Sequence, residues 1–194
     1  MKQDIILAGV GGQGILSIAT VIGAAALEQG RYLKQAEVHG MSQRGGDVQS
    51  NLRISSEPIY SDLIPKGGAD LIVSLEPMEA LRYLPWLSQE GWIITNTAPF
   101  VNIPDYPSPE KLMAELGRFP HVVALDVDAV AKQLGSPRGA NMVLLGAMAA
   151  VLNILEPEKL RDGIRRTFAR KGDAVVRANI SAFDAGLSHS QNMQ

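Results

Sequence analysis

The chain has 194 residues, 46% hydrophobic and 20% charged, with a formal net charge of −2, a length that suits one compact domain with a sizeable core. That charge gives no pull toward nucleic acid or an anionic membrane. The absence of cysteine excludes disulfides, Cys-ligated zinc or iron–sulfur clusters and a cysteine nucleophile on this chain.

No leader pattern precedes the first apolar run, and the longest apolar stretch, Met142 to Leu152, falls short of the roughly 20 residues of a membrane span; the sequence reads as cytoplasmic. Asp4–Ala8 is an apolar strand, and Gly14–Glu28 a helix that Gly30 stops. Arg31–Val38 is a second strand. Val48–Ser55 and Ile59–Leu63, separated by Ser56-Glu57-Pro58, predict an antiparallel hairpin. Leu71–Leu75 is a strand, Pro77–Leu87 a helix with proline in its first turn, and Trp92–Asn96 a strand followed by a proline-rich loop from Pro99 to Pro109. Lys111–Leu116 is a short helix, Val122–Asp126 a strand and Asp128–Leu134 a helix. Helices over Asn141–Leu155, Pro157–Lys171 and Asp173–Leu187 close the pattern. Strands that are apolar runs, alternating with helices, predict an α/β, Rossmann-like fold with a mostly parallel sheet covered on both faces. One α/β domain is expected over 1–187, with 188–194 a disordered tail. Two helical runs, Ile15–Leu27 and Met142–Leu152, are apolar nearly all round and must be covered on every side, by another subunit or by central placement.

Gly9-Val10-Gly11-Gly12-Gln13-Gly14 follows the first strand and opens the first helix, as the dinucleotide fingerprint does. Its glycines permit a tight turn and close backbone approach, and the helix N-terminus offers N–H groups to an anion. Glu37 is the available ribose anchor, although no clean short strand ends on it; the plainer reading is a tight strand–helix turn. Ser42-Gln43-Arg44-Gly45-Gly46 is a second glycine loop, where Arg44 is placed either to hold a phosphate or carboxylate or to make an ordinary ion pair. Glu76, Asn96 with Thr97, and Asp126 with Asp128 fall where strands end, the usual place for a crevice; Asp128 also reads as a helix N-cap. The three histidines, His39, His121 and His189, lie far apart, so no metal spacing appears, and Ser17 and Ser42 have no positioned histidine partner. Arg161, Arg165, Arg166, Arg170 and Lys171 make a basic end to their helix, which the helix dipole favours.

The run from Ile6 through Gly9-Val10-Gly11-Gly12-Gln13-Gly14 to Ile15, Glu37 followed by Gln43-Arg44-Gly45-Gly46, the strand Val48–Ser55, Asp70-Leu71-Ile72-Val73 with Glu76, and the helix from Asn141 to Gly146 together carry a likeness. They resemble the gamma-type subunit of 2-oxoacid:ferredoxin oxidoreductases over roughly residues 1–185, and within that family look most like the indolepyruvate branch. The resemblance implies a companion chain without a redox centre. Thiamine diphosphate, magnesium and iron–sulfur clusters would sit on a large catalytic subunit. Aryl pyruvates such as indolepyruvate would be oxidatively decarboxylated to acyl-CoA, with electrons passed to ferredoxin. Gly9, Gly11, Gly12, Gln13 and Gly14, with Gln43, Arg44, Gly45 and Gly46, would then form an edge facing that subunit or the phosphates of coenzyme A. No residue stands out as a catalytic acid or base, and none as a metal ligand. The competing reading is a stand-alone dinucleotide- or nucleotide-binding module on Gly9–Gly14. A third is a scaffold whose glycines serve only close packing.

Overall fold

The computed structural model describes residues 1–39 and 45–192. Its strands are β1 (Lys2–Val10), β2 (Tyr32–His39), β3 (Asp47–Ser55), β4 (Ala69–Ser74), β5 (Leu87–Asn96) and β6 (Val122–Leu125). Among the described residues they form one sheet in the order β2-β3-β1-β4-β5-β6. β1, buried from Gln3 onward, pairs parallel to β4 and antiparallel to β3. β3 alone runs against its neighbours, while β4, β5 and β6 continue parallel.

The expected hairpin over Val48–Leu63 does not form. β3 has β1 on one edge, from Lys2↔Ser55 to Val10↔Asp47, and β2 on the other, from Tyr32↔Ser55 to His39↔Val48. Neither edge is free to pair with residues 59–63, so the antiparallel hairpin is β2–β3. Side chains hold the displaced segment instead: Arg53 Nη1 donates to the carbonyls of Ser61 (3.1 Å) and Leu63 (2.9 Å), and Asn51 Oδ1 accepts from Ile64 N at 3.2 Å.

Seven helices are described: α1 (Ile15–Glu28), α2 (Pro77–Arg82), α3 (Pro109–Leu116), α4 (Val127–Gln133), α5 (Ala140–Ala149), α6 (Pro157–Phe168) and α7 (Asp173–Gln191). They cover both faces of the sheet. Ile5 and Leu7 share one core with Ile18, Leu144, Met148 and Phe183; Ile6 and Ala8 share the other with Ala80, Tyr83 and Leu116. α2 stops well before Leu87, because Pro85 has no N–H to continue it and leaves a single 3-10 turn, Leu84–Trp86. None of the described helices is long and apolar enough to cross a membrane.

The apolar helix α5 is covered within the chain. Every residue from Met142 to Ala149 is buried, and α7 crosses it so closely that a Cβ on Gly146 would lie 1.9 Å from the Phe183 carbonyl oxygen. A Cβ on Gly186 would lie 1.9 Å from that of Val143. α1 packs against α6, where Gly163 approaches Val21 O, and leaves only Leu16, Thr20, Leu27 and Glu28 exposed. Of the disordered tail expected over 188–194, residues 188–191 are instead the end of α7, and Ser190 is fully buried.

Candidate functional site

The chain leaves β1 through α1 toward β2, while β4 lies on β1's other side. The glycine loop therefore sits where the strand order reverses, the place at which open α/β sheets form a crevice. Gly12 (φ +103°) and Gly14 (φ +85°) adopt the left-handed region that favours glycine. Gly14 is the N-cap of α1 and gives it no side-chain cap. The space a Cβ on Gly9 would take is filled by Gln13 Oε1, 2.9 Å away. That oxygen accepts from Val10 N at 2.7 Å, while Gln13 Nε2 donates to Leu75 O at 3.2 Å. The Gln13 amide thus bridges the ends of β1 and β4. Gly11 N donates to Gly46 O at 2.8 Å, and Asn102 Nδ2 to Gly45 O at 2.8 Å. Gly9, Gly11, Gly12, Gln13, Gly14, Gly45 and Gly46 are brought to one edge; Gln43 and Arg44 lie outside the described residues.

This geometry does not serve a dinucleotide. The Gly11 N–H that a pyrophosphate would approach is bound to Gly46. β3 also stands between β1 and β2, so Glu37 is two strands, roughly 10 Å, from the strand that carries the glycines. The fingerprint requires its acid on the adjacent strand.

Beside the loop is a cleft of about 470 Å³, with Gly12, Asn96, Asp128, Arg138 and Asn141 among its lining. Asn96 organises it. Its Nδ2 donates to Asp128 Oδ2 (2.9 Å) and Leu75 O (3.3 Å), and its Oδ1 accepts from Ala98 N (3.1 Å) and Val127 N (3.3 Å). One amide therefore ties together the segments that follow β4, β5 and β6. The cap of α4 is Asp126, which accepts from Ala129 N at 2.8 Å, and not Asp128. Asn141 Nδ2 donates to Gly14 O at 3.2 Å, joining α5 to the head of α1. Arg138 and Tyr106 escaped the sequence reading: Arg138 lies in the 3-10 turn Pro137–Gly139 and Tyr106 in a loop, with no local pattern to mark either.

Glu76, at the end of β4, is buried and caps α2 by accepting from Glu79 N at 2.8 Å. Its other oxygen, Oε1, accepts from Phe100 N (3.3 Å) and from the Tyr106 hydroxyl. A single oxygen thus holds both ends of the excursion 100–106. Burial first, and then the bond to Glu76 and its charge, push the Tyr106 phenol well above its ordinary value. Stability from the protonated phenol is complete below the unfolded value of about 10 and is lost only as pH rises through the higher folded value. Tyr106→Phe should cost about 1–2 kcal/mol in a denaturant titration and speed proteolytic cleavage between 100 and 106. An unchanged midpoint and cleavage rate would mean that Glu76 does not clamp the loop.

One oxygen of Glu76 caps α2, its other oxygen and the Asn96 amide hold loops, and Glu79 is paired with Arg82 at 2.8 Å. No three His, Asp or Glu among the described residues gather as metal ligands. The basic end of α6 is largely paired: Arg161 with Asp184 (2.8 Å), Arg165 with Asp162 (2.6 Å) and Arg166 with Glu28 (3.3 Å).

Residues 4–189 match the family model described as pyruvate ferredoxin/flavodoxin oxidoreductase. A Pyrococcus horikoshii protein named indolepyruvate oxidoreductase subunit IorB is 36% identical over 206 residues, covering 100% of this chain and 98% of its own. The ketoisovalerate oxidoreductase subunit VorA of Methanothermobacter marburgensis is 32% identical over 181 residues, which are 93% of this chain but 35% of that one. Among solved structures, a 2-oxoglutarate:ferredoxin oxidoreductase from Magnetococcus marinus, with 2-oxoglutarate, coenzyme A and succinyl-CoA bound, shares the fold. Its TM-score is 0.77 at 24% identity, over 100% of this chain and 32% of that chain.

Proposed function

Because the chain belongs to the pyruvate ferredoxin/flavodoxin oxidoreductase family, we propose that it is the small subunit of an indolepyruvate oxidoreductase that converts aryl pyruvates to acyl-CoA and reduces ferredoxin. The observation that carries this is the match to IorB along 100% of this chain and 98% of that one, at 36% identity. The partner is a large catalytic subunit holding thiamine diphosphate, magnesium and the iron–sulfur clusters; this chain has no cysteine with which to ligate a cluster. A soluble assembly working with ferredoxin also fits the cytoplasmic placement read from the sequence.

The residues of the crevice support a positioning role. Thiamine diphosphate, bound in the partner, supplies the decarboxylation chemistry. Around the cleft of this chain, Gln13, Asn96 and Glu76 each hold two or more backbone segments in place. They fix the shape of an edge that faces the catalytic subunit. Among the described residues, the Gly12–Gly14 side is the part of that edge open to coenzyme A, where the head of α1 lacks a side-chain cap and Arg138 lines the cleft. Gly11 N–H and the Gln13 amide are already engaged.

Affinity purification from the native cell tests the proposal. The expected result is a brown complex with a large second chain, reducing ferredoxin when given indolepyruvate and coenzyme A, while the small chain alone is colourless and inactive. A chain that purifies without a partner would overturn it.

A further inference from the structure

We propose that the cavity bordered by the first turns of α1, α5 and α7 binds the phosphate group of a small phosphorylated compound. The inference concerns this chain alone and stands whether or not the subunit reading does. The cavity measures about 510 Å³, a size usual for a small-molecule site. It adjoins the glycine cleft and shares Arg138 and Asn141 with it.

Charge decides what the cavity takes. Arg138 stands on the turn Pro137–Gly139 and Lys171 on the 3-10 turn Ala169–Lys171, and both line it. Arg161, Arg165 and Arg166 are neutralised by acids, but among the described residues Arg138 and Lys171 have no carboxylate partner. Lys171 Nζ lies 5.4 Å from the centre of the Phe168 ring, a contact that uses no hydrogen bond. Among the described residues no acid lines this cavity: Asp173 belongs to the next groove along α7, with Arg165 and Arg177, and Asp128 to the glycine cleft. Two cations without counter-charge repel each other across a shared space, and an anion between them removes that cost.

The rest of the wall completes a phosphate site. Ser17 and Ser136 line it, and within the described residues no hydrogen bond occupies either hydroxyl. Ser17, Asn141 and Ala174 lie in the first turns of α1, α5 and α7. Each of these helices begins at a glycine, Gly14, Gly139 or Gly172, with no side-chain cap. Their positive dipole ends add to the two cations. A phosphate group, with more acceptor oxygens than a carboxylate, matches this supply of donors. Asp128, in the adjoining cleft, disfavours a second anion there and suits a hydroxyl. The phosphate therefore points toward α7, and the uncharged remainder of the ligand toward Asn96.

Calorimetric titration of the full chain with inorganic pyrophosphate, in a chloride buffer, tests the site. Wild type should bind saturably, with a Kd below about 1 mM. Arg138→Met and Lys171→Met should each weaken binding by about tenfold without a change in melting temperature. Arg177→Met, which removes a cation from the neighbouring groove, should bind as wild type. Absence of saturable binding, or an equal loss in Arg177→Met, would overturn the site, the second because it would reveal diffuse attraction to a basic surface. Should Lys171→Met melt early through loss of its cover over Phe168, Arg138→Met decides alone. Competition then separates the sources of the phosphate. Displacement of pyrophosphate by coenzyme A but not by pantetheine assigns it to that carrier; displacement by neither assigns it to a free phosphorylated compound.

Discussion

Replacing Gly146 with alanine should destabilise the protein by about 3 kcal/mol or more and lower its melting temperature by roughly 10 °C for a domain of this size. Helix propensity alone gives the opposite sign, since alanine in a helix interior is favoured over glycine by about 1 kcal/mol. The crossing of α5 and α7 decides between them. A Cβ on Gly146 would lie 1.9 Å from the Phe183 carbonyl oxygen, 2.8 Å from its carbon and 2.9 Å from Leu187 N. These are backbone atoms that cannot rotate away. The helices must separate, and the void opens around Phe183, one of the largest fully buried side chains. Gly186→Ala meets Val143 O in the same way and should cost a similar amount. A thermal melt and a denaturant titration of each variant check this; an unchanged or raised midpoint would show that the two backbones do not touch.

Arg53→Met should cost about 3 kcal/mol. Asp4 and Arg53 are directly opposite each other on β1 and β3. Their side chains meet twice, Nε to Oδ1 at 2.9 Å and Nη2 to Oδ2 at 2.9 Å, with 1% of Asp4 and 11% of Arg53 exposed. The bond to Asp4 is the largest cause that raises Arg53 above its ordinary value. Without the guanidinium, the buried Asp4 carboxylate keeps only Lys2 from the rim, at 2.7 Å. Residues 59–63 lose both carbonyl anchors as well. The double variant Asp4→Asn/Arg53→Met should regain much of the loss, because it leaves no unpaired buried charge, and the cycle should show coupling of about 2 kcal/mol. A single-variant cost well under 1 kcal/mol would mean that the pair is not structural.

What the sequence made legible was local. β1, its glycine turn and α1 follow from an apolar run, three spaced glycines and an apolar helix, all within thirty residues. The positions of Glu76, Asn96 and Asp128 at strand ends were readable for the same reason. Their partners were not: Tyr106 reaches Glu76 across thirty positions, and Asn141 reaches Gly14 across 127. β3 was visible as a strand, yet its place between β1 and β2 depends on a pairing register that includes Asp4↔Arg53, which no neighbouring residue announces. Pro58 looked like the turn of a hairpin because the competition for β3's edges is a property of the whole sheet. Gly146 was read as part of an apolar run, while its use, contact with α7, is a tertiary fact. The glycine edge was legible as an edge; that Gly11 is bonded to Gly46 was not.

The order in which the chain is made adds a demand of its own. Ile5 and Leu7 lie on β1, but they share a core with residues of α5 and α7, at 140–149 and 173–191. A growing polypeptide therefore carries this face of its central strand only partly covered, by α1, until α5 and α7 have been made. The glycine crossing that closes this core is made only after all six strands and α1–α6. Chains halted before Gly186 should present the open part of this core as bait for chaperones or for one another, so the fold is secured only once α7 has been made.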